Sequence, residues 1–238
     1  MSEWWTYRPS DFLMFAPRTW WRLFELHNEA LWPVQPLLVL AGLAWLAWMR
    51  WRSSEAPTAL RIGAAALAAA WAFVGWAFML ERYAPINWAA SGFGVVFMAQ
   101  AVGLAAWAAM RGWQVETSAA RRRAGLLAIA WALLGHPMLA PAFGRPWSQA
   151  EVFGLAPDPT VIATLGLLLC ADARGRGVRW LLRALWAVAL AWCAVSAATL
   201  STLGSAQGGV PLLAALLAAG AARTGRRAEA ASHEAASR

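Results

Sequence analysis

Side chains that could do chemistry are few in this sequence, and they lie in short stretches between long apolar runs. Carboxylates and histidines are costly beside hydrocarbon unless they are paired or hydrated. We therefore expect these residues to face one another or a hydrated vestibule, where they could bind an ion or a small polar ligand. The candidate ligand-binding residues are Glu81, Arg82, Asn87, His136, Glu151 and Asp158.

Charge pairing within this set can be predicted from its spacing. Glu81 and Arg82 are adjacent in sequence and do not share a helical face, so Arg82 is expected to pair with Glu151 or Asp158. Two alternatives stay open. Glu81 and Arg82 could extend to a membrane interface, and His136 could be a neutral histidine that packs between helices.

Metal binding is a second chemistry that these residue types allow. Imidazole nitrogens and carboxylate oxygens are suitable ligands, and the weak candidates are His27, His136, Glu151 and Asp158. No HExxH, CxxC or paired-histidine spacing places two of them together. The histidines also lack the paired-ligand pattern of a four-helix haem protein, so we predict no cofactor.

Catalytic motifs are absent from the sequence. There is no glycine-rich phosphate loop, no GxSxG elbow and no supported Ser, His and Asp order, so we predict that the chain is not an enzyme. All 20 basic residues are arginine, which excludes a lysine Schiff base of the retinal-binding type. Cys170 and Cys193 fall within predicted membrane spans and are expected to be small apolar fillers.

The elements that must position these residues are predicted to be membrane-spanning helices. The 238 residues are 61% hydrophobic and 13% charged, with a mean hydropathy of +0.48, whereas about a quarter of residues are charged in soluble domains. A spanning helix needs about 20 mostly apolar residues. Seven spans are predicted, at Ala30–Met49, Ile62–Leu80, Tyr83–Met110, Ala124–Gly144 and about Thr160–Ala173, with two more in Ala184–Ala222, hinged at residues 204–209.

The arginine distribution predicts the orientation of this bundle. Fifteen arginines fall on alternate connections and the C-terminal segment, and five fall on the opposite side. Positive residues are retained on the cytoplasmic side, so we predict the N-terminus outside, in the bacterial inner membrane. No cleavable signal peptide is expected. The net charge of +8 is spread over short loops, which favours membrane lipids and not nucleic acid as partners.

The first 32 residues precede the predicted spans. Trp4, Trp5 and Tyr7 suit a membrane interface, as do many of the 18 tryptophans, which sit near span ends. From Arg18 to Leu31 the apolar spacing is helical, with Trp20, Phe24, His27 and Leu31 on one stripe. We predict an interfacial amphipathic helix that ends at Trp32-Pro33 and acts as an anchor or as a lid over the bundle.

The stretch from Arg145 to Ala173 predicts an interrupted span. Ser148 and Glu151 have capping-box spacing, and Asp158 is placed as the N-cap of a helix running to about Ala173. That helix would be about 22 Å long, which is too short for the bilayer. We expect a non-helical break at Val152–Pro157, because such breaks are tolerated where they are buried in protein or line a cavity. An outer loop above a thin, tilted span is the alternative.

Three motifs give the chain a family resemblance. MSEWWTYRPSDFLMF, ERYAPINWAA and WSQAEVFGLAPDPTVIATLGLLL resemble an uncharacterised bacterial family of multi-pass membrane proteins, sometimes labelled permease by default. The resemblance covers nearly the whole chain and implies no established activity, substrate or catalytic residue.

The fold class expected is an all-α polytopic membrane bundle. Its parts are an outer interfacial segment at 1–32, a transmembrane bundle at 33–223 and a flexible cytoplasmic tail at 224–238. Two functions stay open. One is a small transporter, permease or ion-binding protein with a site in the outer half of the bundle. The other is a non-catalytic subunit that packs within a larger membrane complex or a homo-oligomer.

Overall fold

The computed structural model describes residues 15–52, 55–111, 113–173 and 175–236, with side chains as far as residue 224. Trp4, Trp5 and Tyr7, for which an interfacial position is predicted, lie outside these ranges. The described chain is a helical bundle with one short β-ribbon. Proline and glycine residues separate the helices, since they end or redirect helical backbone.

The first described helix, α1, spans Pro17–Ala30 and is amphipathic as predicted. It begins with proline at its first position, where the missing N–H has no helical partner to lose. Its buried side chains are Trp20, Leu23, Phe24 and His27. They pack on the segment Val74–Tyr83 and on the turn Trp147–Gln149, so α1 lies across one end of the bundle.

Within the described ranges, four helical stretches are long and apolar enough to cross a membrane. They are Val34–Trp51 (α2), Ala56–Tyr83, Ala89–Ala109 (α4) and Arg176–Thr202 (α8). The second consists of α3, Ala56–Phe73, and a π-helical segment, Val74–Tyr83. These stretches cover four of the seven predicted spans.

The other three predicted spans correspond to helices of different form. Helix α5, Ala119–Ala130, continues as a π-helical turn, Trp131–Gly135, and is followed by the short helix α6, Leu139–Ala142. Helix α7 is Pro157–Leu169. Helix α9, Gly209–Ala236, continues through the segment predicted as a flexible tail.

The hinge predicted at residues 204–209 is confirmed. Helix α8 ends at Thr202, Gly204 has a positive φ of 70°, and a 3₁₀ turn at Ala206–Gly208 leads into α9. Glycine is favoured at this φ because a Cβ would be strained there. The turn lies at the end of the bundle that carries α1, where Gln207 contacts Arg145 and Glu151.

Helix α7 is the centre of the bundle, and each of its thirteen residues is buried. It contacts α3, α5, α8 and α9. It crosses α5 so closely that a Cβ at Gly166 would lie 2.6 Å from the Gly125 carbonyl oxygen, and one at Gly125 would lie 2.5 Å from that of Gly166. Small residues permit such contacts between apolar helices.

The connection before α7 contains the predicted break. Residues 150–156 are non-helical, which confirms the predicted break except at Pro157, the first residue of α7. The predicted caps are wrong. Trp147–Gln149 is one 3₁₀ turn, so Ser148 and Glu151 form no capping box, and α7 starts with Ala156 as its N-cap, two residues before Asp158. The Ser148 carbonyl accepts from Asn28 and the Glu151 carboxylate accepts from Gln207. Both residues are therefore engaged in tertiary contacts, which a local cap pattern does not predict.

The opposite end of the bundle contains a ribbon that the all-α prediction missed. Strands β1, Trp113–Val115, and β2, Ala171–Ala173, pair antiparallel, with Gln114 opposite Asp172. Helix α7 therefore ends at Leu169 and not near Ala173. Beside the ribbon, the buried carboxylate of Glu116 forms an ion pair with Arg121, whose guanidinium also donates to the Ala171 carbonyl. This pair holds the two connections together.

Candidate functional site

A cluster of three buried polar residues lies beneath α1. His136, Glu151 and Asp158 are 1%, 4% and 3% exposed. Each offers a ligand atom, an imidazole nitrogen or a carboxylate oxygen, and these atoms lie within 4.8 Å of one another. The structure thus brings together three of the six residues predicted as a binding site.

His136 is positioned by the π-helical turn before it. Its backbone N–H donates to the Trp131 carbonyl at 2.8 Å, five residues back, instead of four. Wider turns of this kind are rare and are often found at functional sites. Gly135 is required in the turn, because a Cβ there would lie 2.3 Å from the Trp131 ring. Pro137 then ends the regular helix beside the cluster.

Glu151 lies in the extended connection between α6 and α7. Its carboxylate accepts a hydrogen bond from the Gln207 amide at 2.7 Å. The guanidinium of Arg145 binds the Gln207 side-chain oxygen, donates to the Gln149 carbonyl at 3.0 Å and stacks on the Trp21 ring at 3.5 Å. Arg145 is thereby fixed close to Glu151.

Asp158 is in the first turn of α7, where an acidic residue is favoured by the helix dipole. Its two carboxylate oxygens accept from Trp192 Nε1 at 2.8 Å and from the Ser196 hydroxyl at 2.6 Å. Both donors are on α8. These bonds aim the carboxylate across the bundle instead of back at the backbone of α7.

His136 differs from the two carboxylates because no side chain among the described residues bonds to its ring. Nδ1 and Nε2 are both buried and neither makes a hydrogen bond of normal geometry, although the backbone of Glu151 lies close enough to interact with the imidazole. Trp20 Nε1 and His27 Nε2 are unpaired as well. Buried polar groups are hydrogen-bonded in the large majority of cases. An unpaired imidazole next to two carboxylates therefore requires an explanation.

A cavity of about 10 Å³ adjoins Glu151 and Asp158, which is room for about one water molecule. Trp20 and Phe24 of α1 form part of its wall, with Tyr83 and Trp192. Asn28 donates to the carbonyl oxygens of Ser148 and Ala150, both at 2.8 Å. Helix α1 is thus fastened to the connection that carries Glu151 and closes the cluster.

The environment changes the protonation chemistry of Glu151. Its pKa is raised to about 8, chiefly by burial and also by the neighbouring Asp158 carboxylate, although Arg145 and the Gln207 amide act in the opposite direction. Burial therefore favours the protonated, neutral form of Glu151 unless another positive charge compensates the carboxylate.

The other predicted site residues make different contacts. Arg82 was predicted to pair with Glu151 or Asp158, and this prediction is wrong. Arg82 instead donates from Nε to His27 Nδ1 at 2.8 Å. The partner of Arg82 comes from α1, whose docking could not be predicted from local spacing. His27, a weak metal candidate, thus lies outside the cluster of three.

Glu81 and Asn87 also lie apart from the cluster. Glu81 is exposed. The Asn87 amide donates to the Tyr83 hydroxyl at 2.6 Å, and its oxygen accepts from the Ala89 backbone N–H at 3.1 Å, at the start of α4. Asn87 therefore shapes the connection between Tyr83 and α4.

Four contributors to the site were missed by the sequence analysis: Arg145, Trp192, Ser196 and Gln207. A signal existed for Arg145, since it is among the few arginines on the predicted outer side and an arginine there requires a local partner. Trp192 and Ser196 are four residues apart on α8, a spacing that places both on one helical face. Gln207 had no signal beyond its place in the hinge.

A separate apolar groove of about 590 Å³ runs between α2, α3 and α5. Its walls are aliphatic and aromatic, and α2 buries little of its own surface elsewhere in the bundle. The glycines Gly42 and Gly63 admit the side chains of Leu133 and Trp45. The groove carries no charged side chain and is distinct from the polar cluster.

Comparisons with known proteins identify a family without assigning an activity. The model of a family of unknown function, DUF6064, matches residues 18–220. That range includes α1, the polar cluster and the hinge. No curated protein and no solved structure matches the chain.

Proposed function

Because the chain belongs to DUF6064, a family of unknown function, we propose its function from the geometry of the site. It is a multi-pass protein of the bacterial inner membrane that binds a cation in the outer half of its helix bundle, as a small transporter or ion-binding protein. The observation that carries this proposal is the burial of His136, Glu151 and Asp158 together beneath α1.

The proposed topology has seven spans with the N-terminus outside. Besides the four long apolar helices, the stretch from α5 to α6, helix α7 and the first part of α9 would complete the count. In this proposal residues 1–32 are the outer interfacial segment, 33–223 the bundle and 224–238 the cytoplasmic tail.

Exposed tryptophans support this placement, since indole rings favour both membrane interfaces. Trp32, Trp88 and Trp147 lie at the end of the bundle that carries α1. Trp51 and Trp180 lie at the opposite end, beside the arginine-rich connections. The bundle between them presents aliphatic side chains such as those of Val95 and Val102 of α4.

The charge of the cluster supports a cation as the ligand. Two carboxylates face one guanidinium, that of Arg145, and charged groups inside apolar bundles are costly unless compensated. A bound cation would offset the negative charge that Arg145 leaves uncompensated. Since α1 closes the cluster, exchange of that cation with the outside requires movement of Trp20 and Phe24.

Topology is tested by cysteine labelling in a variant whose Cys170 and Cys193 are replaced. Trp147→Cys should react with a membrane-impermeant maleimide in intact cells, and Arg123→Cys only after the inner face is opened. Both native side chains are exposed. Labelling of both positions from the same side contradicts the proposed orientation.

Ligand binding is tested on the purified full chain by thermal unfolding with a panel of monovalent and divalent cations. A cation that raises the melting temperature of the wild type, but not that of Asp158→Asn, supports the site. If no cation does so, the binding function is wrong.

The alternative is a non-catalytic subunit within a larger membrane complex. It is favoured by the internal contacts of Arg82 and Asn87, which hold connections together. Under this alternative, Asp158→Asn would fail to accumulate in the membrane, and a partner chain would copurify with the wild type.

A further inference from the structure

We propose that His136, Glu151 and Asp158 form a binding site for a divalent transition-metal ion of the zinc class. This inference rests on the proposed cation-binding function and names the ligand of that site. One nitrogen and two oxygen donors are a ligand set that such ions take in proteins.

The unpaired imidazole is the observation that separates a metal site from an acidic cluster. Neither nitrogen of His136 has a side-chain partner among the described residues, at 1% exposure, and the backbone of Glu151 lies close to its ring. His27, the other buried histidine of the described chain, accepts from Arg82 at Nδ1 at 2.8 Å and leaves only Nε2 unpaired. A histidine that only packs between helices would be expected to find such a partner. A metal ion would use the lone pair that His136 leaves free.

The two carboxylates are held as metal ligands commonly are. Asp158 accepts from Trp192 and Ser196, and Glu151 accepts from Gln207. Hydrogen bonds of this kind orient ligands and tune their basicity. The ligand atoms lie within 4.8 Å of one another. Small side-chain rotations would place each of them about 2.0–2.2 Å from a shared zinc ion, the usual zinc–ligand distance.

In this assignment the small cavity, which Glu151 and Asp158 line but His136 does not, holds the water that completes the coordination of the ion. Zinc sites with three protein ligands keep a fourth position for water, and the cavity of about 10 Å³ beside Glu151 and Asp158 has room for one water. The nearby cation, Arg145, is held by Gln149, Gln207 and the Trp21 ring. Its hydrogen bonds go to Gln149 and Gln207, and it donates none to the three ligands, although its charge still acts on Glu151.

The test uses full-length protein in detergent, stripped with a chelator and titrated with Zn²⁺ by calorimetry and with Co²⁺ by visible absorption. We expect one ion per chain and ligand-field bands typical of nitrogen and oxygen ligands. His136→Asn, Glu151→Gln and Asp158→Asn should each weaken binding at least tenfold. Glu81→Gln removes an exposed carboxylate at the same end of the bundle and should leave the affinity unchanged.

The wild-type Co²⁺ spectrum keeps the inference falsifiable even where a variant does not fold. Absence of stoichiometric Co²⁺ and Zn²⁺ binding to folded wild-type protein overturns it, as does unchanged affinity in folded His136→Asn and Asp158→Asn. If a monovalent cation stabilises the wild type but not Asp158→Asn, the metal assignment fails and the proposed function stands. If no cation binds, both fail.

Discussion

Arg145 is the arginine that lies beside the buried carboxylates, a position that the sequence spacing predicted for Arg82. Arg82 was predicted to meet the buried carboxylates, yet it binds His27, and Arg145 lies beside Glu151 instead. A guanidinium can stack and donate in several directions at once. Arg145 uses this capacity on Trp21, Gln149 and Gln207.

Replacement of Arg145 should therefore destabilise the end of the bundle that carries α1. We expect Arg145→Ala to lower the free energy of unfolding by about 1–3 kcal/mol, because it leaves buried acceptors without a donor. Thermal and denaturant unfolding in detergent measure this loss. Arg18→Ala, which removes an exposed arginine of the same side, is the control. Equal stability of the two variants would show that the Arg145 contacts contribute nothing.

His27 predicts a pH dependence of stability. Burial, and secondly the Arg82 charge, lower its pKa from 6.5 to about 4. Between these values the unfolded chain binds a proton that the folded chain does not. Stability is therefore complete above about pH 6.5 and falls as the pH drops towards 4, by up to about 3 kcal/mol.

Asparagine is a suitable replacement, because its oxygen can still accept from Arg82 but does not titrate. The melting temperature of His27→Asn should fall less than that of the wild type between pH 6.5 and 4. All other titrating groups are shared, so the difference isolates His27. Parallel melting curves across this window would contradict the assignment.

At the scale of elements, the two π-helical segments lie outside what sequence periodicity predicts. The apolar runs before Tyr83 and His136 suit an α-helix and a π-helix equally well. The two helix types differ only in whether the backbone N–H donates four or five residues back. In the structure, Ala84 and His136 each donate to a carbonyl five residues back. The wider turns decide where the Arg82 and His136 side chains point.

Gly135 provides a test of the second π-helical turn. Alanine there would meet the Trp131 ring at 2.3 Å, so Gly135→Ala should destabilise the chain by about 1–3 kcal/mol, the usual range for overpacking. Gly92→Ala is the matched control, because an added Cβ at Gly92 meets nothing within 4 Å and alanine favours a helix. Both are measured by unfolding in detergent. A neutral Gly135→Ala would mean that the ring can move aside freely.

Several elements were predictable because their signals are local. The stripe of Trp20, Phe24 and His27 predicted α1, and its lid-like position is one of the two roles expected for it. The run at residues 204–209 predicted the hinge, because glycine and polar residues interrupt an apolar stretch there. The extent of α7 was not predictable, since it depends on β2 pairing with a strand almost 60 residues earlier.

The candidate site was predictable in composition and not in geometry. His136, Glu151 and Asp158 stand out because polar residues are rare beside apolar helices. The contacts of Asp158 with Trp192 and Ser196 depend on the packing of α7 against α8. Residue spacing does not encode that packing. The structure was therefore needed to show which candidate residues belong to the cluster and which lie elsewhere.

For the whole molecule, the two ends of the bundle are chemically different. One end gathers α1, the residue 143–156 connection and the hinge around the polar cluster, tied by Asn28, Arg145 and Gln207. The other end has the β-ribbon and the Glu116–Arg121 pair. Each end is closed by contacts between connections distant in sequence, so the helices between them are held at both ends.

The enclosure of α7 has a consequence for biosynthesis. This helix has 13 residues, all buried by α3, α5, α8 and α9, and at 1.5 Å per residue it is about 20 Å long. When α7 leaves the ribosome, α8 and α9 have not yet been made, and it is too short to cross the bilayer alone. In the proposed membrane topology, the insertion of α7 would therefore depend on the later synthesis of α8 and α9. A chain that ends before α8 would lack two of the helices that bury α7.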